Sequence, residues 1–355
     1  MRTRRQNLLG MMRAASLDAA LLTSKVAIRY YTGFTSDECA VLLTDRGCYL
    51  TTDFRYTIQA RAQCGAVEVI EANTARAQHD VIRALLLDQG AKSCGYEQEA
   101  LSVARYESYA DFPVRWKAFG DEISSLRRIK SAEEIECLRR AQTIADSAFQ
   151  QLLQKLHVGM TERAAVAELN YLCGQLGSEE PAFDPIAAGG ENGAMCHAVP
   201  GERAFADGDL AVFDFGCTVN GYRSDMTRTV GFGNVSDELR RVYDIVLEAQ
   251  LRALDGVRAG VTGKSVDAIA RDYIAARGYG DCFGHGLGHG FGLEIHEPPR
   301  ASVTSDDVLV AGNTITVEPG IYLPGKGGVR IEDCVVVTPD GCTNLVSTAK
   351  DLLIL

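Results

Sequence analysis

The chain has 355 residues, 46% of them hydrophobic, enough for two domains with sizeable cores. Its formal net charge of −11 and the lack of a Lys/Arg-rich stripe argue against nucleic acid or an anionic membrane as principal partner. No stretch reaches the ~18 uninterrupted apolar residues of a membrane span, and the apolar run of the opening "MRTRRQNLLGMMRAA" breaks at Arg13, which predicts neither a membrane segment nor an export signal.

Residues 18–118 alternate short apolar runs, "DAALLT", "CAVLLT" and "AVEVIEA", with helical stretches such as "AQHDVIRALLLDQG". This is the pattern of a small α/β domain. It stops near residue 125, where "LRRIKSAEEIECLRRAQTIADSAFQQLL" begins. Ser131 and Glu134 have capping-box spacing there, and Ile135, Leu138, Ala141 and Ala145 recur at helical intervals. We therefore expect two domains, residues 1–125 and 126–355.

The second part carries an internal repeat with copies about 100 residues apart. "VGMTERAAVAELNYLCGQLG" from residue 158 aligns with "AGVTGKSVDAIARDYIAARG" from 259, each reading as a turn followed by a helix. "HAVP" at 197 aligns with "HEPP" at 296, "GDLAVFDFG" at 208 with "GNTITVEPG" at 312, and "GYRSD" at 221 with "GVRIE" at 328. The alignment pairs His197 with His296, Asp214 with Glu318, Arg223 with Arg330 and Asp225 with Glu332. Two such halves packed about a pseudo-twofold axis would bring the paired residues together.

Asp214 and Glu318 sit in apolar, β-prone surroundings, and Asp225 and Glu332 lie on segments that also read as strands. Four carboxylates ~4 Å apart would repel by about 4 kcal/mol per pair at an effective dielectric of 20, so they require cations to stay ionised together. Four acids neutralise two divalent ions. An oxygen-rich set with room for one nitrogen suits manganese, iron, cobalt or zinc. The nitrogen points to "FGHGLGHGFGLEIHEPP", residues 283–299, which holds His285, His289 and His296. Its glycines oppose a helix and suit a strand running close beside other backbone. His79 and His157 lack such a context and read as structural. The eleven cysteines are scattered and form no CxxC pair, the usage of reduced thiols in a cytoplasm. Cys196, Cys217 and Cys334 read as small buried hydrophobes.

These residues resemble the "pita-bread" metallopeptidases, a family that includes aminopeptidase P, prolidase and methionine aminopeptidase. The markers are "FDFG", "GYRSDMTRT", "HGLGHGFGLEIHEPP", "TVEPGIY" and "GGVRIED". Upstream, "IRYYTGFTSDECAVLLTDRGCYLTTDFRYTIQA" is similar to the creatinase-like N-terminal domain of the Xaa-Pro branch. The resemblance implies an α/β creatinase-like domain followed by an α+β pita-bread domain with its pseudo-twofold repeat. It implies two ions, most often manganese, held by Asp214, Asp225, His289, Glu318 and Glu332, with Asp225 and Glu332 at the bridging positions. His197, His285 and His296 match the histidines that hold substrate and assist proton movement, and Arg330 matches an arginine beside the bridging acid. The implied activity is removal of an N-terminal residue that precedes proline, with dipeptide-only cleavage and a non-catalytic binding module as alternatives. The expected partners are short proline-containing peptides and a second copy of the chain in a homodimer.

Overall fold

The computed structural model describes residues 1–355, which divide into two compact units, Met1–Arg127 and Arg128–Leu355.

In the first unit the apolar runs form a six-stranded mixed sheet. Its strands are β1 (Ala19–Leu22), β2 (Cys39–Thr44), β3 (Gly47–Asp53), β4 (Glu68–Ala72), β5 (Ser93–Tyr96) and β6 (Arg115–Ala118), in the order β4-β3-β2-β1-β5-β6. β1 and β2 are apolar almost without interruption because both of their faces are covered. The unit's helices are α1 (Arg2–Ala14), α2 (Lys25–Thr32), α3 (Phe54–Gln63), α4 (Gln78–Asp88), α5 (Val103–Glu107) and α6 (Gly120–Ser125). Val81, Ile82, Leu85 and Leu86 of α4 share a core with Ala19, Leu21, Ala40 and Leu42, the alternate residues of one sheet face. His79 packs edge-on to Phe112 at 4.7 Å, a structural place.

The second unit begins with α7 (Ala132–Leu153), whose capping box is formed: Ser131 Oγ accepts from Glu134 N, and Glu134 Oε2 accepts from Ser131 N at 2.7 Å. There follow α8 (Glu162–Gln175), β7 (Ile186–Gly189), β8 (Leu210–Phe215), β9 (Thr218–Val219), β10 (Tyr222–Arg223) and β11 (Met226–Gly231). Two helices and then strands recur, with seven strands in place of five, as α9 (Asp237–Gly256), α10 (Gly263–Ala276), β12 (Gly288–Gly290), β13 (Glu297–Ala301), β14 (Thr314–Val317), β15 (Gly320–Leu323), β16 (Gly327–Arg330), β17 (Asp333–Val337) and β18 (Cys342–Asn344).

The repeat extends to single hydrogen bonds. Thr161 caps α8 and Thr262 caps α10. Gly159 and Gly260 both take left-handed backbone, φ 94° and 87°, which only glycine adopts without strain. Gly159 N donates to Phe205 O at 2.8 Å, and Gly260 N to Leu309 O at 2.8 Å. β8 pairs antiparallel with β11, as β14 does with β17. Each half has its own core, one around Phe149, Phe205, Phe213 and Phe232, the other around Val246, Ala270, Ile315 and Val335. β11 meets the second half through Glu332 N, which donates to Thr227 O at 3.1 Å, and through Thr229 Oγ1, which donates to Arg330 O at 2.9 Å.

Candidate metal centre

Asp214 lies within β8 and Glu318 directly follows β14, at matching points of the two halves. Asp225 and Glu332 fall in breaks, between β10 and β11 and between β16 and β17, where the sequence pattern predicted continuous strand. The two breaks differ. At Glu332 the backbone N–H bonds across to Thr227 O in the other half, whereas at Asp225 the register of the hairpin is kept, Ser224 N bonding Cys217 O between the β9–β10 and β8–β11 pairs.

His289 is the middle residue of the three-residue strand β12. The glycines around it are required by close approach. A Cβ on Gly288 would lie 1.9 Å from Thr316 O, and one on Gly290 would lie 2.6 Å from Glu297 O. Thr316 also fixes the strand, its hydroxyl accepting from His289 N at 3.1 Å.

These elements converge on a cavity of about 700 Å³ lined by Asp214, Asp225, His289, Glu318, Glu332, His197, His285, His296 and Arg330. His197 and His296 are exposed in it, one from each half, and His285 is half-buried. Arg223 does not follow its repeat partner. Its guanidinium turns to the Ala182 carbonyl and to Glu180 at 2.9 Å, whereas Arg330 is buried in the site. Cys217 and Cys334 are fully buried, and Cys196 borders the cavity.

Donor atoms of Asp225, His289 and Glu332 lie within 4.8 Å of one another. His289 Nδ1 donates to Gly290 O at 3.1 Å, and burial, with His296 second, lowers its pKa to about 3. The ring is therefore neutral, and its Nε2 lone pair faces Glu318 Oε1 at 3.3 Å and Asp225 Oδ2 at 3.6 Å. A lone pair facing carboxylate oxygens needs a proton or a cation between them. Burial first, and then the neighbouring acids, raise Asp225 and Glu332 well above the ordinary carboxylate range, while burial pushes Glu318 up to about 8. Asp214 Oδ1 is buried with no hydrogen-bond partner. Convergent acids, an unprotonated imidazole nitrogen and an orphaned carboxylate oxygen together make a donor set that fits divalent metal ions.

Asp214 Oδ2 and Glu332 Oε2 are held by protein groups. Arg330 Nη2 donates to Asp214 Oδ2 at 2.6 Å and its Nε to Thr227 Oγ1 at 3.1 Å; Thr227 in turn donates to Glu332 Oε2 at 2.6 Å. Tyr322 accepts from Arg330 Nη1 at 3.0 Å. Sequence reasoning missed Thr227, Tyr322 and Arg300, which also lines the cavity. Thr227 stands two residues after Asp225, on the same face of an extended segment, and that spacing was the available signal.

Comparison with known proteins gives this arrangement its class. The model of metallopeptidase family M24 matches residues 136–339, and that of the Creatinase/Prolidase N-terminal domain matches residues 4–129. The chain belongs to metallopeptidase family M24. A Xaa-Pro dipeptidase of Pyrococcus furiosus is 46% identical over 238 residues, 67% of this chain and 68% of that one. Among solved structures, the Xaa-Pro dipeptidase from Bacillus anthracis matches with a TM-score of 0.95 and 39% identity, covering 100% of this chain and 99% of the other. The X-Pro aminopeptidase from Thermotoga maritima gives 0.93 and 37%, covering 99% of each. The architecture is thus a creatinase-type N-terminal domain followed by a pita-bread catalytic domain. No helix is long and apolar enough to cross a membrane.

Proposed function

We propose that the protein hydrolyses the bond between an N-terminal residue and a following proline, using two divalent ions, manganese foremost, held by Asp214, Asp225, His289, Glu318 and Glu332. The observation that carries this reading is the neutral His289 nitrogen facing the carboxylates of Asp225 and Glu318 beside the orphaned oxygen of Asp214. The activities for which the similar proteins are named support the substrate class. When bound, such ions supply Lewis acidity that lowers the pKa of water and polarises a carbonyl.

The chain's own groups do the rest. Arg330 and Thr227 hold Asp214 and Glu332 in orientation. His197 and His296, exposed in the cavity from the two halves, are placed to bind the substrate carbonyl and move a proton to the leaving nitrogen. Phe183, Ile186, Ala198 and Ile295 give the cavity an apolar wall suited to a prolyl ring, which offers no N–H to bond.

Arg300 favours a second reading, dipeptide-only cleavage. It is exposed, lines the same cavity and makes no ion pair, so it is a cation available to the terminal carboxylate of a dipeptide. Hydrolysis of Ala-Pro beside Ala-Pro-Ala by the manganese-loaded protein, with Asp225→Asn as control, tests both. Cleavage of both peptides, lost in the variant, supports the aminopeptidase; cleavage of Ala-Pro alone supports the dipeptidase. Cleavage of neither by metal-loaded protein overturns the Xaa-Pro assignment.

A further inference from the structure

The motif "RIKSAEE", which leads into α7, is only partly explained by the capping box. Lys130 Nζ lies 2.6 Å from Glu297 Oε1, and the two side chains are 1% and 3% exposed. Lys130 N donates to Gly312 O at 2.9 Å, which fixes the root of the side chain. Glu297 directly follows His296 and is the register partner of Gly290, which directly follows His289. The two histidine rings meet edge to face at 4.3 Å. Gly292 lies against the ion pair. A Cβ there would come within 2.8 Å of Glu297 Oε1 and 3.1 Å of Lys130 Cε. The Gly292 carbonyl accepts from Arg223 N at 2.8 Å, two residues before Asp225.

One buried charge pair therefore stands behind His296, His289 and the segment leading to Asp225. Stability alone does not account for it, because apolar side chains of similar volume commonly replace a buried ion pair without loss. What a charged hydrogen bond adds is a fixed direction. We propose that Lys130 and Glu297 are positioning residues that set the orientation of His296 over the cavity, and that their contribution falls on turnover and not on metal binding. The proposal rests on the peptidase reading given above.

The test is the double variant Lys130→Met/Glu297→Met beside both single variants. Each single variant breaks the buried pair and lowers the thermal midpoint; the double variant recovers part of the loss. In the manganese-loaded double variant, kcat on the peptide that the wild type cleaves falls by about tenfold or more, while manganese stoichiometry stays at the wild-type value. Wild-type kcat in a folded double variant overturns the proposal. Should the double variant not fold, Glu297→Gln replaces it, with the same fall in kcat expected and wild-type kcat again overturning the idea. The imidazole 15N resonances of His296 in zinc-loaded protein provide a reading independent of activity. They shift in the variant if Glu297 orients the ring, and unchanged resonances refute the positioning role. If the wild type cleaves no Xaa-Pro peptide, the assigned function fails, and the His296 resonances still decide this proposal.

Discussion

The Nε2 of His285 lies 2.8 Å from the hydroxyl of Tyr322, and the bonds around this pair fix which atom donates. His285 Nδ1 faces the Gly286 carbonyl at 2.8 Å and must carry the proton. Burial lowers the pKa of the ring to about 4, so at neutral pH Nε2 is bare and accepts from Tyr322. Tyr322 in turn accepts from Arg330, which holds Asp214. Both ring nitrogens of His285 are thus engaged within the protein, and the histidine reports on Asp214 through two intermediaries. Tyr322→Phe removes the central link and leaves His285 and Arg330 each short of a buried partner. We expect kcat/KM to fall by about ten- to a hundredfold, equivalent to ~1–3 kcal/mol, with manganese stoichiometry retained. Steady-state kinetics beside metal analysis checks this, and an unchanged kcat/KM would show the chain to be idle.

Removing the metal has a consequence whose sign depends on pH. In metal-free protein, Asp225, Glu318 and Glu332 have folded-state pKa values raised above their ordinary ones. Such carboxyls contribute stability that is fully present below the unfolded pKa and is lost as pH rises through the folded value, about 8 for Glu318. Metal binding requires the deprotonated forms and becomes more favourable over the same range. The rise in thermal midpoint on adding manganese to chelator-treated protein should therefore be several degrees larger at pH 8 than near pH 5.5. Equal increments at both values would contradict the protonated, closely packed carboxylates. Comparing loaded with stripped protein at each pH cancels the titration of the rest of the chain.

The residues that line the candidate metal centre were legible because each is repeated or surrounded by glycine. Thr161 and Thr262, Gly159 and Gly260, and Asp214 and Glu318 could be paired by sequence alone; the structure gives the threonines and the glycines the same local geometry and brings the two acids to one cavity. The glycines of residues 283–299 likewise pointed to close backbone approach, which Gly288 shows. Partners distant in sequence were not legible. Nothing in "GIY" says that Tyr322 bonds His285, and nothing in "RIK" says that Lys130 reaches Glu297, because those contacts exist only once the chain has closed. Arg223 shows the limit of the repeat: the backbone symmetry holds, but Glu180 and the Ala182 carbonyl draw its side chain elsewhere.

A second charge cluster supports Glu332 from behind. Asp333, fully buried, accepts from Arg228 at 2.8 Å, Lys350 at 2.8 Å, Gln250 at 3.0 Å and Asn344 at 2.7 Å. Arg228 also donates to the Glu332 carbonyl at 2.6 Å and to the Thr348 carbonyl at 2.7 Å, joining the C-terminal segment to the residue that holds Thr227. Asp333→Ala leaves Arg228 buried without its carboxylate. The expected loss is about 3–5 kcal/mol, or a fall in thermal midpoint on the order of 10 °C. Thermal unfolding of the metal-loaded variant measures it, and a midpoint within a degree or two of wild type would reduce the cluster to a minor role.

The glycines of the histidine stretch are not equivalent, and alanine substitution separates them. Gly284 has no atom within 4 Å of where a Cβ would stand, so Gly284→Ala should change stability by no more than about 0.5 kcal/mol. At Gly286 the added methyl would meet Ala301 O and the Ser302 Cβ at 3.0 Å, which a small shift accommodates at about 1 kcal/mol. At Gly288 it would lie 1.9 Å from Thr316 O, which is backbone and cannot rotate away. Gly288→Ala must therefore push β12 from β14, at a cost of about 3 kcal/mol, and displace His289, whose N–H bonds the Thr316 hydroxyl. Manganese affinity should drop in that variant and hold in Gly284→Ala. Calorimetric titration of the three proteins ranks them, and equal affinities for Gly284→Ala and Gly288→Ala would mean that the spacing of β12 and β14 does not set the position of the imidazole.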